Sequence, residues 1–246
     1  MPKTLPELAA LRLSGSQNLP IATTTNRDEA RQVDSIEKYE ILRAIGKGNF
    51  GKVLLGRRKK DGLNVAIKAI KKTLVIENDE FENIETEVEV FQIAQLEAHP
   101  FLVQPVSFFS DSVYFYFVME YVGGGDLMFH IQKRKFTLEE ARFYAAQVLL
   151  SLEYLHKHQI VYRDLKLDNI MMMADGYIKL TDYGLCKAGI DWKKQMSTFC
   201  GTPEFIAPEI LSERSYTRAV DWWAFGVLVY ELVLGQVISK CQLHII

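Results

Sequence analysis

Short apolar stretches at 39–45, 51–56 and 63–70 are rich in β-branched residues and are bounded by Gly, Lys and the turn Asp61-Gly62. That pattern predicts three antiparallel strands. Over 79–96, Phe81, Ile84, Val88 and Phe91 recur at helical spacing, and two further strands are predicted at 100–106 and 113–120. After Gly123-Gly124-Gly125 the period changes to that of helices. A short helix is predicted at 126–132. Thr137, with Glu140 three residues on, reads as a capping box opening a long helix to about His158. The apolar runs 170–173 and 177–180, joined through Ala174-Asp175-Gly176, read as a hairpin. Ala219 to Leu234 is apolar nearly all round, the mark of a helix enclosed at the centre of a domain. A sheet with one main helix, followed by a mostly helical part, is an α+β arrangement, and no internal repeat interrupts it.

Composition sharpens the boundaries. Residues 14–26 are rich in Ser, Thr, Asn and Gly, which makes 1–38 a linker expected to be disordered, ahead of units at 39–122 and 123–246. Hydrophobic residues make up 48% and charged residues 24% of the 246-residue chain, the balance of a soluble globular protein. A net charge of −2 gives no reason to expect nucleic acid as a partner. The cysteines, Cys186, Cys200 and Cys241, are odd in number and lack CxxC spacing. They suggest neither a disulfide framework nor a zinc site, and fit a reducing, cytoplasmic setting. No basic start followed by an apolar run marks a secretory leader. The apolar stretch at 219–234 contains Asp221 and Glu231 and falls short of the ~20 residues a membrane span needs.

Five motifs occur in one order: Gly46-x-Gly48-x-x-Gly51-x-Val53, Ala66-Ile67-Lys68, Tyr162-Arg163-Asp164-Leu165-Lys166 with Asn169, Asp182-Tyr183-Gly184, and Ala207-Pro208-Glu209. Together they indicate phosphoryl transfer from ATP. The glycine loop lies between two strands rather than between a strand and a helix, which disfavours a dinucleotide fold and favours a lid over phosphates. Lys68 projects from an apolar strand and needs a partner; Glu80, Glu82, Glu85, Glu87 and Glu89 are candidates, and periodicity does not choose among them. Folding the hairpin at Asp175-Gly176 brings Asn169 and Asp182 side by side, near Asp164. These are oxygen ligands or bases suited to Mg²⁺. Asp164 is then the base, Lys166 stabilises the transferred group, and Asn169 and Asp182 hold the metal. Val53, Ala66 and Met171 could sandwich a flat base, and equally could be core. Cys186 and Cys200 read as packing residues before redox switches.

These residues resemble the eukaryotic Ser/Thr protein kinases of the AGC group, within the protein kinase C and protein kinase N branch. The resemblance is carried by Tyr162 to Asn169, Gly124-Gly125-Asp126-Leu127-Met128, Ser197 to Phe205 and Ala219-Val220-Asp221-Trp222-Trp223, and covers about 39–235. Asp182 to Lys187 and Gly46 to Val53 look most like fungal-type protein kinase C. It implies a two-lobed fold, ATP and Mg²⁺ as cofactors, and Glu87 as the partner of Lys68. It implies an ATP site of Ile45, Gly46, Lys47, Gly48, Asn49, Phe50, Gly51, Lys52, Val53, Ala66, Lys68, Met119, Glu120, Val122 and Met171, with Met119 as gatekeeper and 120–122 as the hinge. Thr198 is implied as an activation-loop phosphorylation site for an upstream kinase, read by Arg163 and Lys187. Thr202 is implied beside Asp164. Asp126, Asp168 and Glu231 match positions that read basic residues in protein substrates.

Residues 237–246 depart from the continuation the resemblance implies. The later helices of the large lobe, including the arginine expected opposite Glu209, are not seen, nor are lipid-sensing, membrane-binding domains. Two readings follow: a Ser/Thr protein kinase, or a catalytically impaired fragment that binds nucleotide or serves as a scaffold. The uncovered apolar residues of 219–234 further predict that the isolated chain is poorly soluble or oligomeric, with little or no transfer of phosphate to a basic Ser/Thr peptide.

Overall fold

The strands β1 (Tyr39–Lys47), β2 (Gly51–Arg58), β3 (Asn64–Lys71), β4 (Pro105–Ser110) and β5 (Tyr114–Glu120) form one antiparallel sheet in the order β1-β2-β3-β5-β4. The structure is a computed structural model that describes residues 34–48, 51–96, 98–212 and 215–235. The linker expected at 1–38 lies outside the described residues up to Val33, as do Asn49, Phe50, Cys241 and 237–246.

Period-two alternation gives the sheet two different faces. Val53 pairs with Lys68, and both Leu55 and Met119 pair with Ala66, so Val53, Ala66, Lys68 and Met119 share one face. The opposite face carries Leu54, Val65, Ile67, Ala69, Tyr116 and Val118, which pack with Tyr39 and Phe109 into a buried cluster. Two further helices belong to this part: α1 (Lys72–Glu77) and α2 (Phe81–Leu96). α1 was not legible, because six residues directly continuing a strand are too few to show a period. On α2 the buried face runs through Glu87, Val90, Phe91 and Ala94. Phe81, Ile84 and Val88 are only half-buried. The face that the apolar pattern singled out is thus turned by about one residue, and Glu87 lies inside it.

The strand expected at 100–106 is corrected to Pro105–Ser110. Pro105 lacks an amide donor and is tolerated at the start of β4 because β4 is an edge strand. The preceding residues pair elsewhere: Leu102 bridges Leu180 in parallel, with Leu180 N donating to Phe101 O at 2.8 Å and Val103 N donating to Leu180 O at 2.9 Å.

The second part contains α3 (Leu127–Lys133), α4 (Leu138–Lys157), the hairpin β6 (Ile170–Met172) and β7 (Ile178–Leu180), α5 (Pro208–Leu211) and α6 (Ala219–Leu234). Thr137 caps α4 as the sequence predicts: its hydroxyl accepts from Glu140 N and the Glu140 carboxylate accepts from Thr137 N. Ala141, Tyr144, Val148, Leu152 and Leu155 form one buried stripe along α4, which packs on α6. On α6 the buried set is Val220, Ala224, Val227, Leu228 and Leu232 together with Asp221 and Glu231. Trp222, Tyr230, Val233 and Leu234 are exposed, so the helix is not enclosed on every side as its composition suggested.

Candidate active site

Lys68 leaves β3 on the face it shares with Val53, Ala66 and Met119, and meets α2. Its ammonium lies 2.7 Å from Glu87 and 2.8 Å from Asp182. Among the five glutamates that periodicity left open, the fold selects Glu87. Glu80 is taken up by Asn83, and Glu82 pairs with Lys187. Burial alone would push the Lys68 ammonium towards the neutral amine, but the charges of Glu87 and then Asp182 outweigh it and raise its pKa. Burial raises the Glu87 carboxyl against the pull of Lys68, while the Lys68 charge holds Asp182 below the usual carboxylate range. Gly184 is backed onto this trio: a Cβ there would come within 3.0 Å of the Lys68 ammonium and 3.2 Å of Asp182 Oδ1. A larger residue would push the ions apart.

The glycine loop joins β1 to β2. Gly46 pairs with Val53 and Lys47 with Lys52, and Gly48 N donates to Gly51 O at 2.9 Å. At Gly51 a Cβ would overlap Ala69 O at 1.9 Å, so no side chain fits between β2 and β3 at that point. Ile45 begins the turn with its side chain exposed. The strand end 119–122 passes through Met119, Glu120 and the buried Val122 towards α3, and Met171 on β6 lies opposite Lys179 on β7.

Asp164 is the centre of a second cluster. Its Oδ1 accepts from the Thr202 hydroxyl at 2.7 Å, and its Oδ2 lies 2.8 Å from the Lys166 ammonium. Lys166 also donates to Thr202 at 3.0 Å, which closes a ring of three side chains. Asn169 donates its amide nitrogen to Asp164 O at 2.8 Å and Oδ2 at 2.9 Å, leaving its own carbonyl oxygen as the group a cation could use. The donor set of Asp182 carboxylate and Asn169 carbonyl suits Mg²⁺, which takes one or two protein oxygens and completes its shell with phosphate and water. No group of three or more His, Cys, Asp or Glu among the described residues could hold a metal by itself.

Two residues here hold left-handed backbones, Arg163 at φ 66° and Asp182 at φ 59°. Such conformations cost about 1–3 kcal/mol each and persist where the surroundings over-determine them. For Arg163 the determinant is Asp221 on α6, whose carboxylate accepts from Tyr162 N at 2.9 Å, Arg163 N at 2.8 Å and meets His156 Nε2 at 2.7 Å. The Arg163 guanidinium donates to Leu185 O at 2.7 Å and to the Tyr216 hydroxyl at 3.2 Å. The Tyr216 hydroxyl in turn donates to Thr198 O at 2.6 Å. Thr198 is itself exposed, and Lys187 pairs with Glu82 on α2. Asp221 and Tyr216 escaped the site reading; a carboxylate inside an apolar helix was the available signal for the first, and nothing in the spacing pointed to the second.

Asp126 caps α3 by accepting from Phe129 N at 2.7 Å, and Asp168 is exposed beside Asn169. Glu231 stands apart. It is fully buried on α6 in this conformation. Cys186 is also enclosed, and burial pushes its thiol well up, in keeping with a packing role.

The chain matches the protein kinase domain family over residues 39–244. It is 50% identical to a protein kinase C-like protein of Hypocrea jecorina over 93% of this chain and 20% of that protein. It is 54% identical to a protein kinase C of Aspergillus fumigatus over 82% of this chain and 18% of the relative. Similarity extends to a serine/threonine-protein kinase N2 of Danio rerio, 47% identical over 87% of this chain and 22% of the relative. The chain therefore spans about a fifth of the length of the curated relatives it matches.

Proposed function

Because this chain belongs to the protein kinase family, we propose that it transfers the γ-phosphate of ATP to Ser or Thr hydroxyls in protein segments that carry nearby basic residues. The observation that carries the reading is the ring of Asp164, Lys166 and Thr202 set beside the Lys68–Glu87–Asp182 trio. Asp164 would accept a hydrogen bond from the substrate hydroxyl and take its proton as the phosphorus–oxygen bond forms. Lys166, already on Asp164 Oδ2, lies where negative charge develops. Glu87 fixes the Lys68 ammonium for the phosphates of ATP. Val53, Ala66 and Met119 above, with Met171 below, offer apolar surface to the base, and the backbone at 120–122 offers it hydrogen bonds. Mg²⁺ bound with ATP at Asp182 and Asn169 would neutralise the phosphates.

Asp126 and Asp168 supply acidic groups for a basic substrate. Thr198 is an exposed hydroxyl for an upstream kinase, and its phosphate would be paired by Arg163 and Lys187. Among the described residues no helix is long and apolar enough to cross a membrane. A cytoplasmic setting and protein rather than nucleic-acid partners are part of this proposal.

The test is transfer of labelled phosphate from Mg²⁺·ATP to a basic Ser/Thr peptide, with Asp164→Asn as the control. Transfer lost in the variant supports the reading. Nucleotide binding without transfer in the unaltered chain would instead favour the nucleotide-binding scaffold.

A further inference from the structure

Lys179 has no part in the chemistry above, yet its side chain is only 8% exposed. Its ammonium lies 2.9 Å from Glu120 Oε1 and donates to Leu102 O at 3.3 Å. The same Glu120 oxygen accepts from Gln104 N at 2.7 Å, and Glu120 N donates back to Gln104 O at 2.9 Å. The Gln104 side chain donates to His99 O at 3.0 Å and Leu102 O at 3.1 Å. Three separate segments therefore meet on one carboxylate: the end of β5, the run 99–104, and β7.

Burying an ammonium is costly unless it is paired, and an apolar residue of similar size would often serve stability as well. The position of Lys179 gives its cost a use. It lies opposite Met171 on the hairpin, so the two side chains share one face, and from that face the Lys179 ammonium reaches Glu120 at the end of β5. Three residues further along the chain lies Asp182.

We propose that Lys179 is a positioning residue: with Glu120 and Gln104 it forms a buried latch that holds the hinge backbone at 120–122 in register with the metal-binding end of the hairpin. The part of this that concerns nucleotide affinity rests on the ATP reading given above. A latched hinge presents its donor and acceptor already ordered, and ordering them during binding would weaken affinity.

The experiment uses the full 246-residue chain and two readouts. The first is hydrogen exchange of the Glu120 amide without nucleotide, and the second is affinity for Mg²⁺·ADP by calorimetry. Lys179→Met is expected to speed exchange at Glu120 by roughly tenfold or more while the amides of α6 stay protected, as local opening below the global barrier allows. Mg²⁺·ADP should bind about three- to tenfold more weakly, as expected when a pre-ordered contact is loosened. Lys179→Arg should restore both. Glu120→Gln, which keeps an acceptor for Gln104 N and removes the ion pair, should move both in the direction of Lys179→Met, and reads the latch if that variant does not fold. Unchanged exchange at Glu120 in the folded variants overturns the latch. Faster exchange with unchanged affinity overturns its role in nucleotide positioning. If the unaltered chain binds no Mg²⁺·ADP, the ATP reading fails, and exchange alone decides whether Lys179 holds the hinge.

Discussion

Thr202 donates its hydroxyl to Asp164 Oδ1 at 2.7 Å and accepts from Lys166 at 3.0 Å, so one side chain orients both the base and the cation beside it. A hydrogen bond to a charged group contributes about 1.5–3 kcal/mol, equivalent to roughly ten- to hundredfold in rate if it is expressed in the transition state. Thr202→Val should lower kcat for peptide phosphorylation by about that factor. Thr202→Ser, which keeps the hydroxyl, should remain near the unaltered rate. Equal loss in both variants would mean that the methyl group, not the hydroxyl, is what matters.

Mg²⁺·ATP should raise the melting temperature, because a ligand of the folded state alone stabilises it. Lys68→Met and Asp182→Asn should each reduce that increment by more than half, measured against the variant's own ligand-free transition. An undiminished increment in both would place the nucleotide elsewhere. Lys68→Met should also destabilise the ligand-free chain. Breaking a buried pair costs about 3–5 kcal/mol, and the part-exposed Lys68 should fall at or below the lower end. Adding Glu87→Gln to it should recover part of the loss, since the orphaned carboxylate is removed.

Thr198→Ala should abolish activation by an upstream kinase, whereas Ser197→Ala should have a small effect. Phosphate adds about −1.5 to −2 charges at a point tied through Tyr216 to Arg163. Tyr216→Phe should weaken activation of the phosphorylated chain several-fold while leaving phosphorylation of Thr198 itself intact, a separation that mass spectrometry and peptide assays read directly. The opposite ranking of Ser197 and Thr198 would reassign the modified residue.

The capping box of α4 carries a pH dependence. Hydrogen bonding from Arg134, then from Thr137 N, holds the Glu140 carboxyl down at about 2. A carboxyl depressed by folding stabilises the native state above its unfolded value near 4.5, and the contribution is lost as pH falls from there towards 2. Glu140→Gln should therefore lower the melting temperature at pH 7, and the gap should narrow steadily between pH 5 and pH 3. A gap constant over that window would show that the charge of Glu140 contributes nothing.

Most of the architecture was legible because the motif residues sit where local rules are strong. The Thr137 capping box, the Asp175-Gly176 hairpin and the α6 bounds need only short-range chemistry. Where tertiary pairing decides, the sequence was silent. Residues 101–103 have strand character but pair with β7, which displaces β4 to Pro105. Periodicity could not choose Glu87 over Glu80, because the choice turns on how α2 rolls against the sheet by a single residue; the resemblance of the motifs named Glu87, and the ion pair with Lys68 agrees. The roles of Tyr216, Gln104 and Lys179 arise from contacts between distant segments and have no signature in spacing. Glu231 matches a substrate-reading position by motif, and its burial on α6 is set by packing that the motif does not show.

The grip of Asp221 on the backbone at Tyr162 and Arg163 bears on when this chain becomes competent. The two hydrogen bonds span 59 and 58 residues of sequence. Until the helix that carries Asp221 has formed and docked, nothing in the segment around Arg163 compels its left-handed turn. During synthesis, Lys68, Glu87, Asp164 and Asp182 all leave the ribosome before Asp221 does. A nascent chain can thus hold every residue of the proposed transfer chemistry and still lack the geometry for it, because the bonds that set the turn at Arg163 wait for Asp221 to emerge.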